Sequence, residues 1–372
     1  MKKKIVFVTG TRADYGKIKS ILKLCIKKFN VKIYTTGMHL LPKFGNTYKE
    51  IEKSFNNKIL IKRNNQIKNS SLDVILAKTI FQFSQFIKKF EPDMILVHGD
   101  RAEAFAAAIV SSLNNILLSH IEGGERSGNI DEHIRHSISK LSHIHFVSNK
   151  NAKKRLIKLG EIKDKIFITG NPDIDILRKK NLPSLNKVKK RYEIQFNEYI
   201  ILLFHPDAIN KKEVKKNFNT VINSLILSKK KTVIIFPNND YGSDTIINII
   251  ENRLKQKSQF KLIKSMRFEF YLTLLKNSQM IVGNSSSGVH EAPFYGIPTI
   301  NIGNRQKNRA KTRSIINSDF DTKNIIKKIN KYYGHKFKKD LTFGIGNSAN
   351  EIYLKLSSKN IWKTKTQKHI SY

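Results

Sequence analysis

Acidic residues are scarce. The 372-residue chain holds 29 Asp and Glu against 69 Lys and Arg, a formal net charge of +40. An excess of that size raises nucleic acid or an anionic membrane as partners. The basic residues are mostly lysines spread along the whole chain, with no arginine-rich block and no aromatic-basic platform, so no nucleic-acid partner is expected. Cysteine is nearly absent too. The single Cys25 rules out an internal disulfide and a multi-cysteine metal site, and it lies on the apolar face of a predicted helix as a core residue would. No apolar run approaches the roughly 20 residues that span a bilayer. The apolar part of the segment after Met1-Lys2-Lys3-Lys4 is too short for a signal peptide, so the expected location is the cytoplasm, without a membrane partner. Also missing are the G-x-G-x-x-G dinucleotide fingerprint and the Gly-Lys-Ser/Thr of a Walker loop.

What is present is a regular alternation of strand and helix. Hydrophobic residues make up 40% of the chain, enough for sizeable cores, and the length implies about two domains. Short β-rich runs at 4–9, 31–36, 94–98, 116–118, 144–147 and 166–169 each close on a turn rich in glycine or polar residues, and most lead straight into a helical pattern. That is the signature of a doubly wound parallel sheet. The helix predicted over 71–90 has Leu72, Ile75, Leu76, Thr79, Ile80, Phe83 and Ile87 as its buried stripe. Residues 181–198 are polar and lysine-rich and read as a linker. Strands at 199–204, 232–236, 260–263, 280–282 and 299–302 then repeat the architecture, and a last helical region at 348–363 packs back. The expected divisions are 1–180, 181–345 and 346–372.

The richest stretch is 119–136. A buried strand leads into Glu122-Gly123-Gly124-Glu125, a glycine-punctuated loop follows, and Asp131 stands at the N-cap position of a helix carrying Ile134, Ile138 and Leu141. In open α/β sheets ligands bind beyond the carboxyl ends of the strands, where Glu122 lies. Asp100 has the same position one unit earlier, after Met94-Ile95-Leu96-Val97-His98. Either acid alone also reads as loop or capping chemistry; two at corresponding positions point to a shared site. Gly10-Thr11-Arg12 joins strand to helix in the manner of an anion-binding turn, with Arg12 as the fork for a phosphate. The small-residue loop Gly283-Asn284-Ser285-Ser286-Ser287-Gly288 would let a phosphate approach the backbone at the start of another helix, with Glu291 in its first turn placed to accept from sugar hydroxyls. His205 after a buried strand is ambiguous; His98 and His120 read as structural.

Taken in order, Gly10-Thr11-Arg12-Ala13-Asp14-Tyr15, His98-Gly99-Asp100-Arg101, His120-Ile121-Glu122-Gly123-Gly124-Glu125, Asp131 with Arg135-His136, His205-Pro206, the serine loop with Glu291-Ala292-Pro293, and Gly303-Asn304-Arg305-Gln306 resemble the UDP-N-acetylglucosamine 2-epimerase family. The serine loop and the Gly-x-Arg-Gln segment look like its hydrolysing branch from sialic acid biosynthesis. The resemblance covers residues 4 to 310. It implies an α/β fold of GT-B type, two Rossmann-like doubly wound domains facing across a cleft, acting on a UDP-sugar without a redox cofactor or metal, and commonly as a homodimer. It also implies a glycosidase-type hydrolase that takes the proton at carbon 2, expels UDP from carbon 1 and hydrates the resulting glycal to N-acetylmannosamine. Asp100, Glu122 and Asp131 match the family's catalytic carboxylates. Arg12 and His205 match residues that contact the diphosphate, Ser285 and Ser286 the phosphate loop, Glu291 the ribose-binding acid, and Arg305 a basic residue near the nucleotide. Asp207 departs from the pattern, since an uncharged residue is expected there. A nucleotide-linked 2,4-diacetamido-2,4,6-trideoxyhexose, on the route to legionaminic acid, is the alternative substrate. A GT-B glycosyltransferase is a further alternative, against which the three carboxylates argue.

Overall fold

The computed structural model describes residues 1–372 apart from Lys68, Asn69, Asn129, Lys179, Lys180, 207–210, Asn239, Tyr241, Ile370 and Tyr372, and apart from the side chains of Lys43 and Lys211. Asp207 therefore lies outside the described residues. The chain divides into two compact units: Met1–Glu125, Ile130–Arg178 and Thr342–Tyr372 form the first, Arg126–Asn129 and Lys179–Leu341 the second.

In the first unit, strands β1 (Lys4–Thr9), β2 (Asn30–Thr35), β3 (Leu60–Lys62), β4 (Met94–His98), β5 (Leu117–Ile121), β6 (Ile144–Val147) and β7 (Ile166–Ile168) make one sheet in the order β3-β2-β1-β4-β5-β6-β7. All its pairings are parallel. Parallel strands must be covered on both faces, and the near-continuous apolar runs Ile5-Val6-Phe7-Val8 and Met94-Ile95-Leu96-Val97 are accordingly buried. The strand expected at 116–118 runs further, to Ile121. Two of its extra residues are polar, but these, Ser119 and His120, are buried and bonded, which is how a central strand tolerates them.

The second unit repeats the plan with β8 (Ile200–Leu203), β9 (Thr232–Ile235), β10 (Phe260–Ile263), β11 (Met280–Gly283), β12 (Thr299–Ile302) and β13 (Ile315–Ser318), in the order β10-β9-β8-β11-β12-β13. Numbered from its own first strand this is 3-2-1-4-5-6, the Rossmann order. In each sheet the topological switch point therefore lies between the first and fourth strands, β1 and β4 or β8 and β11.

Three expectations need correction. The stretch 181–198 is not only a linker. It contains the helix Leu185–Tyr192, capped by Ser184, whose Val188 is completely buried. Leu185, Val188 and Tyr192, only one of them fully buried, make too thin a stripe to show against a charged background. In the helix Leu72–Phe90, Leu72 is exposed instead of buried. Nineteen residues reach about 28 Å, well beyond the roughly 17 Å of the five-residue strands beneath it, so the first turn has nothing to pack on. The helix expected after the serine loop is only a 3-10 turn, Ser286–Gly288, and a short helix, Glu291–Phe294, stopped by Gly296 at φ +68°. β13 and the helix Thr322–Tyr332, which complete the second sheet, were not anticipated from the sequence.

Candidate functional site

The first unit places its acids along the carboxyl edge of the sheet, beside the switch point. β4 ends at His98 and Gly99 turns the chain, so that Asp100 projects before the helix Ala102–Leu113 begins. Asp100 does not cap that helix, whose N-cap is Arg101. Its carboxylate instead pairs with Arg135, a guanidinium with no exposed surface that also donates to the Glu125 carbonyl at 3.1 Å. Asp131 lies within the helix Ile130–Leu141, one residue inside its start and not at the N-cap position. An acid in the first turn complements the dipole as well as a capping acid does, so the sequence signal is the same for both. Four residues separate Asp131 from Arg135, which puts them on one face of the helix.

Glu122 follows β5 directly. It is 3% exposed and holds φ +75°, a left-handed conformation that costs a non-glycine residue about 1–3 kcal/mol. Its carboxylate lies 3.2 Å from His98 Nε2 and 3.6 Å from Lys17 Nζ. Lys17 is also 3.4 Å from the fully buried Asp173. A strained backbone and two buried ionisable neighbours, one of them shared with a second buried acid, are an arrangement more often kept for chemistry than for stability. In the sequence His98 reads as structural, and neither Lys17 nor Asp173 stands out. The available signal was a lysine inside the buried stripe of the helix Arg12–Cys25, between Tyr15 and Ile18, since buried lysines are nearly always paired.

The turn after β1 differs from the expectation of an open anion site. Asp14 accepts from the backbone N–H groups of Gly10, Thr11 and Tyr15 at 3.0, 2.9 and 2.6 Å, so its own carboxylate occupies that helix start. Arg12 is the first helical residue, and its Nε lies 3.2 Å from Glu50. The amides of Gly10, Thr11 and Tyr15 are thus already satisfied within the turn.

His120 holds the Asp100 turn from behind. Its Nε2 lies 2.8 Å from the Gly99 carbonyl and its Nδ1 3.0 Å from the Ser139 hydroxyl, which fits a neutral ring donating to the carbonyl and accepting from the serine. Burial lowers its pKa to about 3, and burial likewise lowers that of His39 to about 4. The unfolded chain gains these protons below about pH 6.5 while the folded chain does not, so stability is full above that pH and falls as pH drops toward 3–4. Each histidine contributes a slope of about 1.4 kcal/mol per pH unit. Urea unfolding between pH 7 and 4 is expected to show this decline, with a shallower slope in His120→Asn. An equal slope in that variant counts against the assignment.

In the second unit the switch point is tied by one side chain. Asn284, fully buried after β11, accepts from the His205 N–H at 2.7 Å and donates to the His205 carbonyl at 2.8 Å, locking the loop after β8 to the loop after β11. Arg305 Nη1 donates to the Asn284 carbonyl at 3.1 Å, and the Arg305 carbonyl accepts from Gly128 N–H at 2.9 Å. His205, Ser285 and Arg305 are thus gathered around Asn284, a residue to which the sequence alone assigns no role. The Ser285 hydroxyl caps the turn by accepting from Ser287 N–H, while Ser286 remains partly exposed and Ser287 bonds Tyr271. Glu291 is 3% exposed, and its charge, after burial, adds to the upward pKa shifts of Tyr271 and Tyr295.

Gly283 sets the close approach of the two strands. It has φ +136°, and a Cβ there would lie 2.2 Å from the Leu203 carbonyl oxygen. Gly283→Ala is expected to cost about 2 kcal/mol or more, since both the conformation and the contact oppose it. Chemical denaturation checks this; a change under about 0.5 kcal/mol contradicts it.

A family model described as UDP-N-acetylglucosamine 2-epimerase matches residues 25–357. The chain belongs to that family. Among relatives of this epimerase family, it is 40% identical to the UDP-N-acetylglucosamine 2-epimerase of Neisseria meningitidis serogroup B, across 98% of both chains. It is 37% identical, over 86% of its length and 85% of the relative's, to the GDP/UDP-N,N'-diacetylbacillosamine 2-epimerase (hydrolyzing) of Campylobacter jejuni. The crystal structure of the Methanocaldococcus jannaschii UDP-GlcNAc 2-epimerase in complex with UDP-GlcNAc and UDP superposes with a TM-score of 0.81, at 21% identity, over 95% of this chain and 99% of that one. The fold is thus α/β of GT-B type, as in these epimerases. Among the described residues no helix is long and apolar enough to cross a membrane.

Proposed function

We propose that the chain converts UDP-N-acetylglucosamine and water into N-acetylmannosamine and UDP, supplying the sugar for sialic acid synthesis. The reading rests on one observation above the others: acids at the ends of two adjacent strands, each with its own buried cationic or imidazole partner, Asp100 with Arg135 and Glu122 with His98 and Lys17. In the first half-reaction a carboxylate takes the proton from carbon 2. The bond from carbon 1 to the phosphate oxygen breaks, and its electron pair leaves with UDP, giving the glycal. In the second, water adds its hydroxyl to carbon 1 and a proton is delivered to carbon 2 from the opposite face. Asp100, Glu122 and Asp131 supply these proton transfers. Arg12, His205, Ser285, Ser286 and Arg305 hold the diphosphate, whose leaving charge needs positive or N–H partners, and Glu291 holds the ribose.

Incubation with UDP-N-acetylglucosamine alone tests this. Free N-acetylmannosamine and UDP in equal amounts support the hydrolysing reaction; UDP-N-acetylmannosamine as the product would mean epimerisation without hydrolysis. No turnover without an added acceptor would return the GT-B glycosyltransferase. The Campylobacter jejuni relative gives weight to a second substrate, a nucleotide-linked 2,4-diacetamido-2,4,6-trideoxyhexose. The ratio of kcat/KM for the two sugars decides between them.

A further inference from the structure

Behind the helix Ile130–Leu141, at the end away from Asp131, lies a buried charge cluster that the chemistry above does not use. Glu161 is 2% exposed. One of its oxygens is 3.1 Å from Lys140 Nζ, and the other is 3.0 Å from His145 Nε2 and 2.6 Å from Lys368 Nζ. Lys368 comes from the C-terminal tail, and its ammonium does more than neutralise Glu161. It donates to the Ser139 and Lys140 carbonyls at 3.2 and 2.7 Å, the last turn of the helix. The final carbonyls of a helix have no partners within it, and a cation there also complements the dipole.

The tail is seated on both sides of this lysine. The Thr364 hydroxyl accepts from Lys165 at 3.0 Å, the Thr366 carbonyl lies 2.9 Å from His143 Nε2, and the Ser371 N–H donates to the Gly160 carbonyl at 2.9 Å. Burial on its own would raise the pKa of Glu161, but hydrogen bonds and charge from His145 and Lys368 hold it below the ordinary carboxylate value. Burial lowers the pKa values of Lys368 and His145, so Glu161 is the member of the cluster whose charge its surroundings favour, and the grip on Lys368 rests on the short contacts themselves.

We propose that Lys368 is a positioning residue for the reaction: gripped by Glu161, it clamps the far end of the helix whose first turn carries Asp131 and whose Arg135 holds Asp100. This rests on the assignment of those acids to catalysis. A twelve-residue helix is a stiff rod about 18 Å long, so a seat at one end fixes the tilt at the other. A displacement of about 1 Å at a reacting group is enough to cost about a hundredfold in rate.

The test compares full-length Lys368→Met and Lys368→Arg. Steady-state kinetics with UDP-N-acetylglucosamine are read beside UDP affinity by calorimetry and hydrogen exchange of the peptide covering 130–141. In Lys368→Met, kcat is expected to fall about 10- to 100-fold, KM and UDP affinity to stay within about twofold, and exchange to quicken over 130–135. Lys368→Arg retains charge and donors and is expected to remain within about threefold of the parent. A Lys368→Met enzyme with parental kcat and parental protection overturns the proposal, as does a lower Tm with kcat unchanged well below it. If Lys368→Met does not fold, Glu161→Gln, which loosens the same grip, is read by the same criteria. Should the parent fail to turn over this sugar, the catalytic assignment fails by itself. The exchange result then decides alone: faster exchange supports the clamp and unchanged protection overturns it.

Discussion

Replacing Glu122 with Gln is expected to lower kcat by about a hundredfold or more while leaving UDP affinity within about twofold. The amide keeps the volume and hydrogen bonds that the left-handed backbone at Glu122 already accommodates. It cannot take or deliver a proton. His98 and Lys17, 3.2 and 3.6 Å from the carboxylate, would keep their places, Lys17 being held as well by Asp173. UDP should be indifferent, because its contacts are assigned to Arg12 and to the loops around Asn284. The comparison with Asp100→Asn and Asp131→Asn is informative: each is expected to lose a comparable factor, and an enzyme that keeps more than about a tenth of its turnover identifies an acid that transfers no proton. Arg12→Met should show the opposite split, with UDP binding weakened most.

Arg135→Met is expected to damage both stability and turnover. Arg135 has no exposed surface and joins the Asp100 carboxylate to the Glu125 carbonyl. Removing it leaves Asp100 without its guanidinium and the Glu125 carbonyl without its donor. Breaking a buried pair in this way costs about 3–5 kcal/mol, and the lower figure is expected here because the Asp100 side chain is 22% exposed and water can reach it. If Asp100 takes part in the proton transfers as proposed, turnover should fall about as far as in Asp100→Asn, since a carboxylate free to swing is no longer held in place for the transfer. Arg135→Lys should recover charge but not the two-way grip, and so only part of the activity. Urea unfolding and kcat measured on the same samples check both halves. Parental stability in Arg135→Met would mean that the pair is not a structural element.

Much of this was legible in the sequence because the chemistry of a parallel sheet is local. Continuous apolar runs such as Met94-Ile95-Leu96-Val97 report burial on two faces, and the residue just past such a run falls on the carboxyl edge. Asp100 and Glu122 could therefore be placed one strand apart without any structure, and β4 and β5 are neighbours in the sheet. What remained hidden depends on contacts distant in sequence. Arg135 meets Asp100 across 35 residues, Asn284 bridges to His205 across 79, and Lys368 returns to Glu161 from the end of the chain. No spacing rule encodes such pairs. The turn after β1 misled for a different reason. A helix start after a glycine reads as open to anions, yet Asp14 three residues on folds back and fills it. The lysine background also obscured the helix Leu185–Tyr192, whose apolar face is only Leu185, Val188 and Tyr192.

The measurement that bears most directly on the central claim is the reaction run in deuterated water. UDP-N-acetylglucosamine carrying hydrogen at carbon 2 is incubated with the enzyme, and the released sugar is examined by NMR and mass spectrometry. Proton abstraction to a glycal, followed by hydration, predicts N-acetylmannosamine with one deuterium at carbon 2. A released sugar that still holds hydrogen there would show that the carbon 2 proton was never removed, and would contradict the roles given to Asp100, Glu122 and Asp131.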